Sequence, residues 1–404
     1  MKKINVIFLA VIMMMACINK INANDIYVEE NGLYGAYTSI TAACAVAQSG
    51  DRILVFPRAN NAYYVDYGTI NLPANCKMLS AVPGQRFRDS LPSGNFRIAN
   101  NCQLSMAEIC FSAYGSTVYL DGISGWVSNC KIINANIISD GGNTSYVHID
   151  NDSLIIGDIL LNGGGRISGC YALDINLNSA SLNNDTTFIV GNWIGQMILG
   201  GSSNNNYVYI ANNYCAWGIP YLRLHTGGTG MNTIINNVFI DLPSSQNDGI
   251  IIYGNNSRLR IENNLFINPF TYFHTPTAVI YLNGTLSPDS RISYNYVNFN
   301  NSSSNYTFAY GFTPDTTNHF TSNTTIDSVG HLIVGSDAIN GGDPSVNYLD
   351  LDLTRNDAGM YGGSFSMSNF NTPGIGNPRV LFMTAPRSVL TTQTTNISAD
   401  GVAK

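Results

Sequence analysis

The sequence predicts an all-β chain wound as a single-stranded, right-handed parallel β-helix (solenoid) with a short N-terminal capping helix. Three observations carry that prediction. A six-residue pattern recurs eight times between residues 127 and 297. Only 11% of the 404 residues are charged, against roughly 25% in an ordinary soluble domain. Near the N-terminus, a short amphipathic helix pattern runs straight into a buried strand.

The pattern reads apolar, any, any, then Asn, Cys or Asp, any, apolar. Its fourth positions are Cys130, Asp152, Cys170, Asn192, Asn213, Asn237, Asn264 and Asn295. The apolar partners are Val127 and Ile132, Ile149 and Leu154, Ile167 and Ala172, and Ile189 and Ile194. Ile210 and Cys215, Ile234 and Phe239, Ile261 and Phe266, and Ile292 and Val297 follow. An earlier partial copy ends on Asn101, where Gln103 breaks the last apolar position. Counted from Asn101, the steps are 29, 22, 18, 22, 21, 24, 27 and 31 residues. These lengths suit solenoid coils, with the longer ones carrying loops at one corner. The apolar positions would enter the core from strands on either side of a bend. The Asn between them would take left-handed or bridge geometry and bond along the stack.

Apolar content is ordinary at 45%. The charges missing from the surface are replaced by Asn, Ser, Thr, Gly and Tyr, which favour strands and turns over helix.

Residues 1–23 read as an export signal. Lys2 and Lys3 start it, an apolar run spans Val6 to Ala16, and Ala23 precedes Asn24. The run is too short for an ordinary transmembrane span. Met14-Met15-Ala16-Cys17 is a degenerate lipobox, so a lipid anchor at Cys17 is the alternative. Cleavage after Ala23 removes Lys2, Lys3 and Lys20 and no acid, taking the formal charge from −7 to −10. An acidic surface without a basic run argues against nucleic acid and anionic membranes, and no membrane insertion is expected after signal removal. The expected location is secreted or on the outer cell surface.

Seven cysteines follow the signal: Cys44, Cys76, Cys102, Cys110, Cys130, Cys170 and Cys215. No C-x-x-C spacing occurs, and residues 216–404 contain none, so disulfides cannot be the general scaffold. Cys130 and Cys170 should lie two coils apart, roughly 10 Å, beyond bridging range.

Residues 24–363 form the predicted solenoid and cap. In Thr38 to Pro57, Ile40, Ala43, Cys44 and Val46 or Ala47 make an apolar helix face. Gly50 ends the helix and Ile53 to Phe56 form a buried strand. This segment resembles the opening of pectate-lyase-like, right-handed β-helix proteins, although their usual Pro-Gly and Tyr turn is altered here to Pro57-Arg58. The stretch Asp337 to Pro344 and Tyr348 to Gly363 looks like the segment that closes the β-helix in many exported proteins of Bacteroidetes-type bacteria. Leu353 and Ala358 depart from that form. The likeness, covering roughly residues 25–365, implies the fold and leaves activity open, since such solenoids host lyases, hydrolases, esterases, adhesins and fibres. Residues 364–404 read as a linker to 378 and then a short β tail. The tail either begins a small sandwich or packs on the solenoid.

The candidate chemistry centres on Tyr221-Leu222-Arg223-Leu224-His225. Strand alternation puts Tyr221, Arg223 and His225 on one face. Ile251, Tyr253, Tyr281 and Asn283 fall at the same place on later coils. Arg223 would neutralise a uronate and His225 or a tyrosine would take a proton, the parts that polysaccharide β-elimination needs. Tyr221, Tyr253, Tyr281 and Asn283 would contact sugar. A paired-carboxylate alternative places Asp150 and Asp152 on one face with Asp174 a coil on. The polygalacturonase-like signatures are absent. Asp350, Asp352 and Asp357 offer either a calcium site or turn formers. Trp126, Trp193 and Trp217 are further stacking candidates. The expected function is contact with extracellular polysaccharide. A lyase or glycosidase and a structural adhesin-like module are the alternatives.

Overall fold

The computed structural model describes residues 23–404 except 113–114, 141–145, 178–185, 199–206, 216–221, 227–229, 241–249, 268–276, 299–305, 322, 371–378, 385–397 and 403–404. The signal segment, Cys17, Tyr221 and Trp217 lie outside the described residues.

Alternating apolar residues give short strands, and each coil lays three of them on three faces. The first face starts at Asp25–Val28, Arg52–Val55, Met78–Ala81, Cys102–Ser105 and Gly125–Ser128. It continues through Tyr146–Asp150, Gly164–Ser168, Thr187–Val190, Val208–Ala211 and Met231–Ile235, then the second half of Ile250–Glu262 and Arg291–Ser293. These neighbours pair in parallel. The register stacks Ile53, Leu79, Leu104, Val127, Ile149, Ile167, Ile189, Ile210, Ile234, Ile261 and Ile292 into one buried column. A slip of one residue would turn the whole column to solvent, at about 1.5–3 kcal/mol for each large side chain, so register is strongly fixed.

The predicted ladder runs along the corner that leaves the first face. The backbone N–H and side-chain amide of Asn192 both donate to Asn213 Oδ1, at 3.0 and 2.9 Å. Asn213 treats Asn237 in the same way, and Asn237 treats Asn264. Asn264 and then Asn295 continue the series to Asn318. Each amide also reaches back to a main-chain carbonyl, as Asn213 does to Ile189 O at 2.8 Å. Cys130 and Cys170 replace the amide with a thiol that donates to Leu104 O and Ile149 O. They stand two coils apart with Asp152 between them, and all seven described cysteines are free.

Three expectations need correction here. The left-handed residue is not the ladder residue but the one before it: Asn129, Asn151, Gly169, Gly191, Asn212, Asn236, Asn263 and Tyr294. Asn101 belongs to another corner, between Phe96–Ile98 and Cys102–Ser105, where its amide bonds Asn75 Oδ1 at 2.9 Å. The residue level with Cys130 on the preceding coil is Ala107, because Ile109 pairs with Ile132. The ladder also extends to Asn318, where Asp315 occupies the apolar position and hid the copy.

The capping helix α1 is Ile40–Val46, burying Ile40, Ala43 and Cys44. Ser39 caps it, and Asp66 accepts the N–H groups of Ile40 and Thr41. It ends at Val46, before Gly50, which instead takes a positive φ in the turn into Arg52–Val55.

The segment likened to a closing piece does not cap the end of the solenoid. It runs back along the ladder corner as a strap. Tyr296 O–H donates to Gly341 O, and Asp343 N donates to Asn263 Oδ1. Asn236 then binds Asp357 O and Gly359 O, and Asn212 binds Met360 O and Gly362 O. The left-handed asparagines thus grip the strap. Phe370 lies over Gly169 and Gly191, where a Cβ would strike its ring. A second apolar core forms underneath from Val190, Ala211, Ile235, Val238, Leu265, Met360, Met367 and Phe370. Residues 364–370 therefore belong to the strap and are not linker. Beyond it, Arg379–Thr384 pairs antiparallel with Ser398–Val402.

Candidate functional site

The third face carries the predicted cluster. Leu222–His225 pairs with the first half of Ile250–Glu262, which pairs with Thr277–Leu286, and that with Tyr306–Tyr310. Leu222, Leu224, Ile250, Ile252, Ile280 and Leu282 point inward and are buried. Strand alternation therefore turns their neighbours outward in two columns. Arg223, Ile251, Tyr281 and Tyr310 form one, and His225, Tyr253 and Asn283 the other.

The rings stack as the columns require. His225 lies on Tyr253 at 4.8 Å between centroids and 16° between planes. Tyr281 lies on Tyr310 at 4.9 Å and 1°. The Arg223 guanidinium sits 5.9 Å from the Tyr253 centroid, inside cation–π range. Ile251 is 2% exposed, so it separates Arg223 from Tyr281 rather than extending the polar surface. Beyond Tyr253 and Asn283 the strands bend at Gly254 and Gly284, both near φ 145°. A Cβ at either would collide with the carbonyl of the coil below, so only glycine lets these coils stack so closely.

Arg223, His225, Tyr253 and Tyr281 are half-buried and Asn283 is exposed. Burial pushes the His225 imidazole below its ordinary pKa, and the positive charge of Arg223 adds to that. At neutral pH the ring is therefore uncharged and has a nitrogen able to accept a proton. Tyr310 was missed in the sequence. The signal was there, since it follows Tyr281 by 29 positions, close to the local coil length.

The carboxylate alternative does not assemble. Asp150 ends the strand Tyr146–Asp150, and Asn151 turns the chain, so Asp152 enters the ladder instead of sharing a face with Asp150. Asp150 is held in a fully buried bidentate pair with Arg166, at 3.0 and 2.6 Å, and accepts Ser168 Oγ as well. Asp174 stands beside Asp158 at a different corner. There Asn136 Oδ1 accepts Asp158 N at 2.9 Å, forming a second, shorter polar ladder. Burial, reinforced by the Asp158 charge, pushes Asp174 up to about 6. The Arg166 pair occupies Asp150, whereas Asp174 and Asp158 each keep one buried carboxyl oxygen with no hydrogen-bond partner among the described residues.

The acidic trio of the strap is occupied by turns. Asp350 accepts the N–H groups of Asp357 and Gly363, Asp352 those of Thr354, and Asp357 that of Asn340. Among the described residues no group of three His, Cys, Asp or Glu is placed to hold a metal ion. The turn-forming alternative accounts for Asp350, Asp352 and Asp357. Trp193 packs against Tyr214 with ring centroids 4.1 Å apart and planes tilted by 33°, beside the strap core. No family model and no curated protein matches this chain.

Proposed function

We propose that the chain is an exported or cell-surface β-helix protein that contacts extracellular polysaccharide along its third face. The observation that carries this reading is the pair of in-register ring stacks, His225 on Tyr253 and Tyr281 on Tyr310, on successive coils. Coils repeat about every 4.8 Å, so a glycan laid along the axis meets ring faces and polar edges in series. The pectate-lyase-like appearance of the N-terminal segment and the leader-like residues 1–23 support the extracellular setting.

The neutral His225 beside Arg223 favours a lyase as the second reading. In that reaction Arg223 would hold a uronate carboxylate. His225 would accept the proton α to it, the electron pair would form the ring double bond, and the glycosidic oxygen would leave with a proton from water.

The test is a glycan array followed by a turnover assay on every retained polysaccharide. Binding that weakens in Tyr253→Ala, with no product before or after His225→Ala, supports contact alone. Product formation that falls roughly 10²–10⁴-fold in His225→Ala selects the lyase. Failure to retain any acidic or neutral glycan overturns both.

A further inference from the structure

The first face changes character along its length. Where the strap covers it, the outward column next to the ladder is Val190, Ala211 and Ile235, all buried beneath the strap. On the earlier coils the same column is Ser80, Ser105 and Ser128. These short side chains leave a groove of about 700 Å³ across the five strands from Asp25–Val28 to Gly125–Ser128. Four inter-strand steps make it roughly 19 Å long.

An aromatic ring stands at each end, Tyr27 on the first strand and Trp126 on the last. Between them the lining is largely apolar, with Leu54, Met78, Pro83 and Met106 beside Gln103, whose Nε2 donates to the buried Ser128 Oγ at 3.0 Å. The charged pair in the lining is Arg52 with Asp25, joined by two bonds of 2.7 and 2.6 Å. Their charges cancel, so this pair offers an incoming carboxylate no uncompensated cation. The Trp126 indole N–H is buried with no hydrogen-bond acceptor, and its ring packs 5.4 Å from that of His148 on the next coil. Each strand here is already paired on both sides by its coil neighbours, except the first, which leaves no edge along the groove for an extended peptide to join.

We infer that this groove is a second binding site, for an uncharged oligosaccharide of roughly three or four rings lying along the solenoid axis. Length, two aromatic ends, an apolar lining that suits the C–H faces of sugar rings, the Gln103 amide and cancelled charge all suit a neutral polyhydroxylated chain. It lies on a different face from the Arg223 and His225 cluster and on earlier coils, so each site has its own variants.

The experiment is isothermal titration of the full mature chain with cellotetraose, xylotetraose, mannotetraose and tetragalacturonate. Wild type, Trp126→Ala, Trp126→Phe, Gln103→Ala and Tyr253→Ala are compared, each with its melting curve. At least one neutral tetrasaccharide is expected to bind. Trp126→Ala should weaken it by more than roughly tenfold, the usual order for removing an aromatic anchor. Gln103→Ala should weaken it less, Trp126→Phe should keep most of the affinity, and the Trp126-dependent binding should persist in Tyr253→Ala, whatever that variant loses at the third face. If Trp126→Ala does not fold, Gln103→Ala and Trp126→Phe decide alone. The inference is overturned if no neutral tetrasaccharide binds or if tetragalacturonate displaces the neutral one. It is also overturned if affinity survives both Trp126→Ala and Gln103→Ala, or falls in Tyr253→Ala instead.

Discussion

Asp152 Oδ1 accepts the backbone N–H of Cys130 at 2.6 Å, the same bond that each ladder asparagine accepts from the coil before it. Its second oxygen is buried with no partner, at the place where an asparagine presents its NH₂. Burial raises the Asp152 carboxyl well above its ordinary value, so the folded chain holds it neutral. The raised folded pKa stabilises the fold fully below the unfolded value, near 3.9, and that contribution is lost as pH rises toward the folded value. Asp152→Asn supplies a donor that needs no bound proton and removes the titration. Urea unfolding should find the variant more stable by about 1–3 kcal/mol at pH 7, with the gain shrinking toward pH 4. A variant less stable than wild type at every pH would contradict the ladder role of Asp152.

Asn237 is the middle of the continuous stretch. Removing its side chain strips the acceptor from Asn213 N and the donor from Ile210 O, both buried. Each orphaned group costs about 1–3 kcal/mol, so Asn237→Ala should lose more than about 2 kcal/mol in the same unfolding measurement. An exposed Asn283→Ala should change stability by less than about 0.5 kcal/mol.

The strap should be separable from the solenoid. Asn212→Ala deletes two bonds, to Met360 O at 2.9 Å and Gly362 O at 2.6 Å. Gly191→Ala drives a Cβ into the Phe370 ring from a positive-φ residue. Limited proteolysis should cut both variants between residues 326 and 370 faster than wild type, with the coils left intact. Equal cutting of the coils would mean that strap and solenoid unfold as one unit.

The thiols should be silent in the folded chain. Burial pushes Cys76 up to about 11 and raises Cys44, Cys130, Cys170 and Cys215 as well. Alkylation at pH 8 should reach half-buried Cys110 first and the others only on unfolding. A Cys130–Cys170 bridge in the mass spectrum would contradict their separation by the coil of Asp152.

Much of this architecture is legible in the sequence because a solenoid repeats its core chemistry every coil. Ile189, Ile210, Ile234 and Ile261 announce their column, and the asparagines three places on announce the bend. The strap position was not legible. Asn212, Asn236 and Asn263 read as ordinary turn residues until the strap lies on them, because a contact over 80 to 150 positions leaves no local period. The swap from Ser128 to Ala211 and Ile235 on one column was the available sign of something covering the later coils. Arg223, His225 and Tyr253 were found because strand alternation is a local rule. Asp150 and Asp152 do not share a face because a left-handed residue at Asn151 breaks that rule between them.

The central claim, that the third face holds glycan through its ring stacks, is tested most directly by affinity electrophoresis. Wild type, Tyr253→Ala and Tyr281→Ala would be run in gels containing each candidate polysaccharide. Wild type should be retarded in at least one gel, and in that gel both variants should migrate clearly faster than wild type while melting at the wild-type temperature. Retardation unchanged in both variants, or wild type unretarded in every gel, would contradict it.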